Sequence, residues 1–92
     1  MNIHAVIYTK PNCPKCRMTE NKLRESMRVK TEHLFEGNEE WSQRKLEKFR
    51  EQGYASMPVV RIYDDDTGKR LDDWCDMRID LINKWKGAAK NG

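Results

Sequence analysis

Three cysteines are an odd and small set for a disulfide-stapled secreted domain, which usually carries an even number. No uncharged apolar run approaches the roughly 18 residues a membrane helix needs, so no membrane association is expected. The N-terminus, MNIHAVIYTK, lacks a basic region followed by an apolar helix and a small-residue cleavage site. It reads as a strand and not as a secretory leader, so the chain is expected in the cytoplasm. Charged residues make up 36% of the chain, yet there is no block of five or six like charges. The two signs are mixed and the net charge is only +3, so no nucleic-acid arm is expected. Internal repeats and low-complexity segments are absent too. A chain of 92 residues is long enough for one domain and too short for two, so residues 1–92 are read as one unit, expected to be a monomer.

What is present follows an alternating plan. Residues 3–8 are apolar on both faces apart from His4, as in a central strand covered from each side. A turn over residues 9–12 leads to Pro14, which suits the first turn of a helix because its missing N–H costs nothing there. Cys16, Thr19, Leu23 and Met27 recur at helical spacing and predict a helix over 14–27. Residues 29–35 read as a second strand, with Val29, Thr31, His33 and Phe35 on one side. Asn38 fits a helix N-cap, Glu39 and Glu40 suit the positive end of the dipole, and Gly53 is the expected stop. Leu46 and Phe49 should face inward. A strand over 59–63, a turn at Asp64–Gly68 and a strand over 69–73 form a hairpin. A last helix is predicted from about Asp76 to Lys86, burying Leu81, Ile82 and Trp85, with residues 90–92 frayed. The order is β-α-β-α-β-β-α. A right-handed first crossover gives parallel strands and the closing hairpin is antiparallel. The expected fold is therefore α/β, a four-stranded mixed sheet flanked by three helices.

Cys13-Pro14-Lys15-Cys16 is the pattern with chemistry in it. Disulfide exchange needs a thiolate and a second thiol close enough to resolve the mixed disulfide. Two intervening residues at a helix start bring the sulfurs within bonding distance. Cys13 lies where free backbone N–H groups and the dipole favour negative charge, and Lys10 and Lys15 add positive charge nearby. Cys16 is one turn deeper and should act second. The competing reading is half of a zinc site, but the remaining ligand candidates, Cys75, His4 and His33, are scattered along the chain and form no second close pair. Met57-Pro58 before the apolar run Val59-Val60 is a second signal. It is either a plain strand start or a cis peptide that turns the Met57 backbone toward Cys13, where an extended substrate could pair with it.

With these residues in view, the chain resembles the glutaredoxin family. Residues 8–16, Tyr-Thr-Lys-Pro-Asn-Cys-Pro-Lys-Cys, are similar to that family's active-site strand and turn, and Met57-Pro58-Val59 to its proline loop. The resemblance spans about residues 3–85. It implies a thioredoxin-like fold, a cis Pro58, Cys13 as nucleophile and Cys16 as resolving thiol, with no bound cofactor and no metal. Two departures matter. Lys15 stands where the family usually has Tyr. Asp73-Trp74-Cys75-Asp76-Met77-Arg78 replaces the paired-glycine segment that holds glutathione, although Asp76 could match one acidic position.

That segment is similar instead to the Trp-Ser-Gly-Phe-Arg-Pro-Asp motif of NrdH-type redoxins, matching it at Trp74, Arg78 and Asp80. The resemblance then implies a dithiol protein reduced by thioredoxin reductase and NADPH, passing electrons to a disulfide protein such as ribonucleotide reductase. The alternatives are a glutathione-dependent glutaredoxin and, further off, a metal or iron–sulfur module. Met57, Pro58, Trp74 and Arg78 are the expected substrate-binding residues. Trp74 has two readings, a core aromatic or part of a surface network with Arg78. Cys75, His4, His33, Trp41 and Trp85 read as structural.

Overall fold

A computed structural model describes residues 1–90. It contains β1 (Ile3–Thr9), α1 (Pro14–Arg24), β2 (Arg28–His33), α2 (Glu39–Glu51), β3 (Val59–Asp64), β4 (Arg70–Cys75) and α3 (Ile79–Lys90). The strand order is β2-β1-β3-β4. β1 runs parallel to β2 and antiparallel to β3, and β3 is antiparallel to β4. The mixed four-stranded sheet and the element order agree with the sequence reading. Of the fraying expected at residues 90–92, Lys90 instead ends α3, which runs past the expected end at Lys86, and residues 91–92 lie outside the described residues.

The central position of β1 explains its composition. Ile3, Ala5 and Ile7 join Val60 and Ile62 of β3 on one face, where Leu23 of α1 and Ile82 and Trp85 of α3 close the core. Tyr8, Val59, Leu34 and Phe49 of α2 form a smaller cluster on the other face. Burial on both faces is why this strand reads as a continuous apolar run.

Several boundaries differ from expectation, each for a local reason. α1 stops at Arg24 because the Glu25 and Ser26 N–H groups turn back to Lys22 and Leu23 carbonyls three residues earlier, which tightens the last turn. Met27 follows as a half-buried packing residue outside the helix. β2 ends at His33; the Leu34 N–H still reaches the Thr9 carbonyl, but Phe35 then takes φ +60° and leaves the sheet direction. Asn38 precedes α2 without capping it through its side chain. Its amide instead serves the preceding loop, accepting from the Glu36 N–H and donating to the His33 carbonyl. β4 continues through Cys75, two residues past the expected end, so Trp74 and Cys75 are strand residues. The last helix begins at Ile79 and not near Asp76, because Asp76 adopts φ +68°, which cannot start a right-handed helix.

The C-terminus of α2 does follow its sequence signal. Gly53 takes φ +90°, its N–H bonds the Arg50 carbonyl at 3.1 Å, and the Tyr54 N–H bonds the Phe49 carbonyl at 2.9 Å. This is the paired-bond stop that glycine makes possible, completed by edge-on contact of the Tyr54 and Phe49 rings at 5.6 Å. No helix among the described residues is long and apolar enough to cross a membrane.

Candidate functional site

Cys13 is the N-cap of α1, with extended backbone angles, and Pro14 occupies the first helical turn. Asn12 precedes it at φ +56°, a conformation that Asn tolerates better than most side chains do. The tight turn from β1 therefore delivers Cys13 to the helix start. Cys13 and Cys16 form a disulfide, with Cα atoms 5.2 Å apart. The Cys16 backbone N–H also points at Cys13 Sγ, 3.2 Å away. Sulfur thus takes the place of the oxygen that usually caps a helix. No acidic residue lies in the first turn to oppose negative charge there. Cys13 is 6% exposed and Cys16 2%, in the order expected for an outer and an inner sulfur.

A groove of about 640 Å³ opens beside Cys13. Leu34, Phe49 and Val59 give it an apolar floor, and Lys10, Lys15 and Arg50 bring positive charge to it. Met57 lines the same groove, and its peptide bond to the buried Pro58 is cis. Tyr54, delivered by the α2 stop, forms another wall. Its hydroxyl donates to Asp73 at 2.6 Å, and its pKa is raised first by burial and then by that bond.

The structure divides the remaining expected site residues. Trp74 is 4% exposed and sits in the core between the sheet and α3, not along the groove. Its indole N–H has no hydrogen-bond partner among the described residues. The strand alternation explains this placement: Trp74 pairs with Val60, and both face α1 and α3. The surface network of Trp74 with Arg78 is therefore not formed. Arg78 lies at the surface just before α3 and makes a two-pronged bond to Asp80, at 3.1 and 2.8 Å. That bond holds the Asp80 carboxyl below the usual carboxylate range.

Lys15, expected to add positive charge near Cys13, lines the groove with its ammonium 2.9 Å from Asp76. Lys10 is exposed and lines the same groove. The scattered zinc-ligand candidates are occupied elsewhere. His4 stacks on Tyr63 and is bonded to Asp65, while His33 is within 3.1 Å of Thr9 Oγ1 and 3.0 Å of Glu36. Cys75, half-buried, packs beside the Tyr8–Phe49 cluster. Among the described residues no three His, Cys, Asp or Glu side chains gather as a metal site.

Arg50 and Tyr54 were absent from the sequence reading of the site. Gly53 marked where α2 stops, and a stop of this kind commonly folds the next side chain back onto the helix, so Tyr54 was within reach of inference. Arg50 had no comparable signal.

A sheet in the order β2-β1-β3-β4 with a disulfide closing the start of α1 defines a protein of the thioredoxin fold. The chain is similar to the NrdH-redoxin of Escherichia coli, a glutaredoxin-like protein with a thioredoxin-like activity profile, at 24% identity and a TM-score of 0.64, over 88% of this chain and 92% of that one. It is also similar to Chlamydomonas reinhardtii thioredoxin f2, at 12% identity and a TM-score of 0.60, over 99% and 82% of the two chains. A thioredoxin structure determined as a complex of ferredoxin:thioredoxin reductase with thioredoxin f2 matches at 16% identity and a TM-score of 0.58, over 97% and 78%. No protein-family model and no curated protein sequence matches the chain.

Proposed function

We propose that this protein is a cytoplasmic thiol–disulfide oxidoreductase in which Cys13 attacks and Cys16 resolves. The observation that carries this reading is the N-cap sulfur. Cys13 Sγ receives the Cys16 N–H at a helix start free of acidic residues, where a thiolate is favoured. The reduced protein's Cys13 thiolate attacks one sulfur of a substrate disulfide. That bond breaks, a substrate thiolate leaves, and a mixed disulfide forms. Cys16 then gives up its proton and attacks Cys13 Sγ. The Cys13–Cys16 bond forms, the second substrate thiolate leaves, and two electrons have passed to the substrate. The apolar groove beside Cys13 suits a protein segment, with the Met57–Pro58 backbone alongside it.

Re-reduction would come from a dithiol donor, thioredoxin reductase with NADPH, and the electrons would go to a protein such as ribonucleotide reductase. The likeness to an NrdH-redoxin of thioredoxin-like activity supports this donor, as does the absence of paired glycines at Asp73-Trp74. Trp74, in the core, takes no part in this support. A coupled NADPH assay separates the donors. Turnover of a protein disulfide with thioredoxin reductase, and little with glutathione and its reductase, is expected. The reverse result would make the protein a glutathione-dependent glutaredoxin.

The roles within the pair have their own test. Cys16→Ser should accumulate a mixed disulfide with substrate, visible by mass spectrometry, while Cys13→Ser should form none. Trapping by the Cys13 variant alone would reverse the assignment.

A further inference from the structure

Lys15 stands between the two cysteines in sequence and lines the same groove as Cys13. In the disulfide form that ammonium is paired with Asp76 at 2.9 Å. Both side chains are substantially exposed, 59% and 41%, so the pair adds little to the stability of the fold. Its consequence is for the electric field at the neighbouring sulfur. Asp76 is well placed to hold a cation there. Its N–H donates to the Pro58 carbonyl at 2.9 Å, and its carboxylate accepts from the Met77 N–H at 2.7 Å. Ser56, close to the same carboxylate, adds a smaller lowering of its pKa. The Lys15 bond first, and then the Met77 N–H, keep its carboxyl below the usual range, so it is charged at neutral pH. Four segments meet in this arrangement: the Cys13–Cys16 turn, Ser56, Pro58 and the bend after β4.

We propose that Asp76 is a positioning residue for the redox pair, holding Lys15 away from Cys13 in the disulfide form and sharing that cation with the Cys13 thiolate once the pair is reduced. The proposal rests on Cys13 being the attacking thiol. Reduction by a dithiol donor adds two electrons, breaks the S–S bond and leaves Cys13 as a thiolate and Cys16 as a thiol. A new negative charge then competes with Asp76 for one ammonium. The other groups on this groove are Lys10, Arg50 and Tyr54. Lys10 and Arg50 act as a constant positive background, and Tyr54 stays neutral because its pKa is raised. Lys15 is thus the cation whose partner changes with redox state.

The test is the pH profile of alkylation by iodoacetamide of the reduced full-length protein, with peptide mapping of the labelled cysteine. Asp76→Asn is the suitable variant, because Asn tolerates φ +68° and keeps an acceptor for the Met77 N–H. It should free Lys15 and move the Cys13 midpoint down by roughly half to one pH unit. Lys15→Met should move it up, and Lys15→Arg should track the unchanged protein. In the Lys15→Met background, Asp76→Asn should have a much smaller effect, which marks action through Lys15. Equal shifts in both backgrounds would reduce Asp76 to a through-space charge and overturn the proposal. If the Asp76 variant does not fold, the comparison of Lys15→Met with Lys15→Arg decides, and identical midpoints overturn it. Labelling of Cys16 before Cys13 would remove the underlying redox assignment and the proposal with it; labelling of Cys13 first without the coupling would sink the proposal alone.

Discussion

A hydroxyl with no exposure at all must find its partners inside the protein, and Ser42 shows how much one such group can hold together. It lies on the first turn of α2, accepts from the Phe35 N–H at 2.8 Å and is 3.0 Å from the Asn38 side-chain oxygen. Phe35 has φ +60°, so its N–H has left the sheet and depends on this bond. Ser42→Ala would strand a half-buried donor, and the expected loss is about 1–3 kcal/mol. In a domain of this size each kcal/mol lowers Tm by roughly 4–8 °C. A Tm unchanged within a degree in a thermal scan would refute this role for Ser42. The same contact shows a limit of sequence reading at the residue scale. Asn38 reads as a cap because Asn before two Glu residues usually is one. What recruits its amide to the loop is a serine four residues on and a positive φ three residues back, and neither is visible in composition. Cys13 and Cys16 were legible for the opposite reason: their spacing, the proline between them and the preceding strand are all local. Lys15 was legible as a cation but not as one half of an ion pair, because Asp76 is 61 positions away in the chain.

Among the elements, α2 matters most to the groove, since it supplies Phe49 and Arg50 and its stop places Tyr54 just beyond its end. Its stop depends on Gly53 at φ +90°. A methyl group built there meets no atom within 4 Å, so Gly53→Ala would be resisted by backbone conformation alone and not by crowding. The cost of a left-handed alanine is about 1–2 kcal/mol. We expect Gly53→Ala to lower the denaturation midpoint accordingly and to loosen Tyr54 from Phe49, while Gly53→Asn, which tolerates this region, should cost less. Equal effects of Ala and Asn would show that the positive φ is not what matters. This stop and the start of α1 were both legible because glycine and proline act on the backbone locally. The start of α3 was not. Asp76 and Asp80 are both plausible first-turn acids in sequence. The longer β4 and the φ of Asp76 decide between them, and the length of β4 is set by pairing of Val59 with Cys75 across the sheet. The choice between the two readings of Trp74 turns on the same point. Extending β4 by two residues fixes which face its indole takes, and that face is the core beneath α3.

At the scale of the whole molecule, charge is spread as pairs along the surface, and this governs how stability should respond to acid. Asp65, Asp76, Asp80 and Glu25 each have a carboxyl held below the usual range, by bonds first to His4, Lys15, Arg78 and Lys86 respectively. In the unfolded chain these groups titrate near pH 4, about 3.9 for Asp and 4.3 for Glu. A carboxyl whose folded pKa is the lower one binds fewer protons in the folded state. Its stabilisation is therefore fully present above the unfolded value and is lost as pH falls through the folded one. The urea midpoint should consequently be flat from neutral pH down to about 5 in respect of these groups, then fall modestly toward pH 2, since each exposed pair contributes little on its own. All four are at the surface, where added salt screens the partners, so the acid limb should be shallower at 1 M salt than at 0.05 M. The core offers no such response, because it is built from Ile3, Ala5, Ile7, Leu23, Val60, Ile62 and Ile82, none of which titrates. A midpoint that does not change between pH 5 and pH 2, or an acid limb equally steep at both salt concentrations, would mean that these pairs carry no free energy of folding. The Lys15–Asp76 pair would then be free to change partners on reduction without any effect on the fold around it.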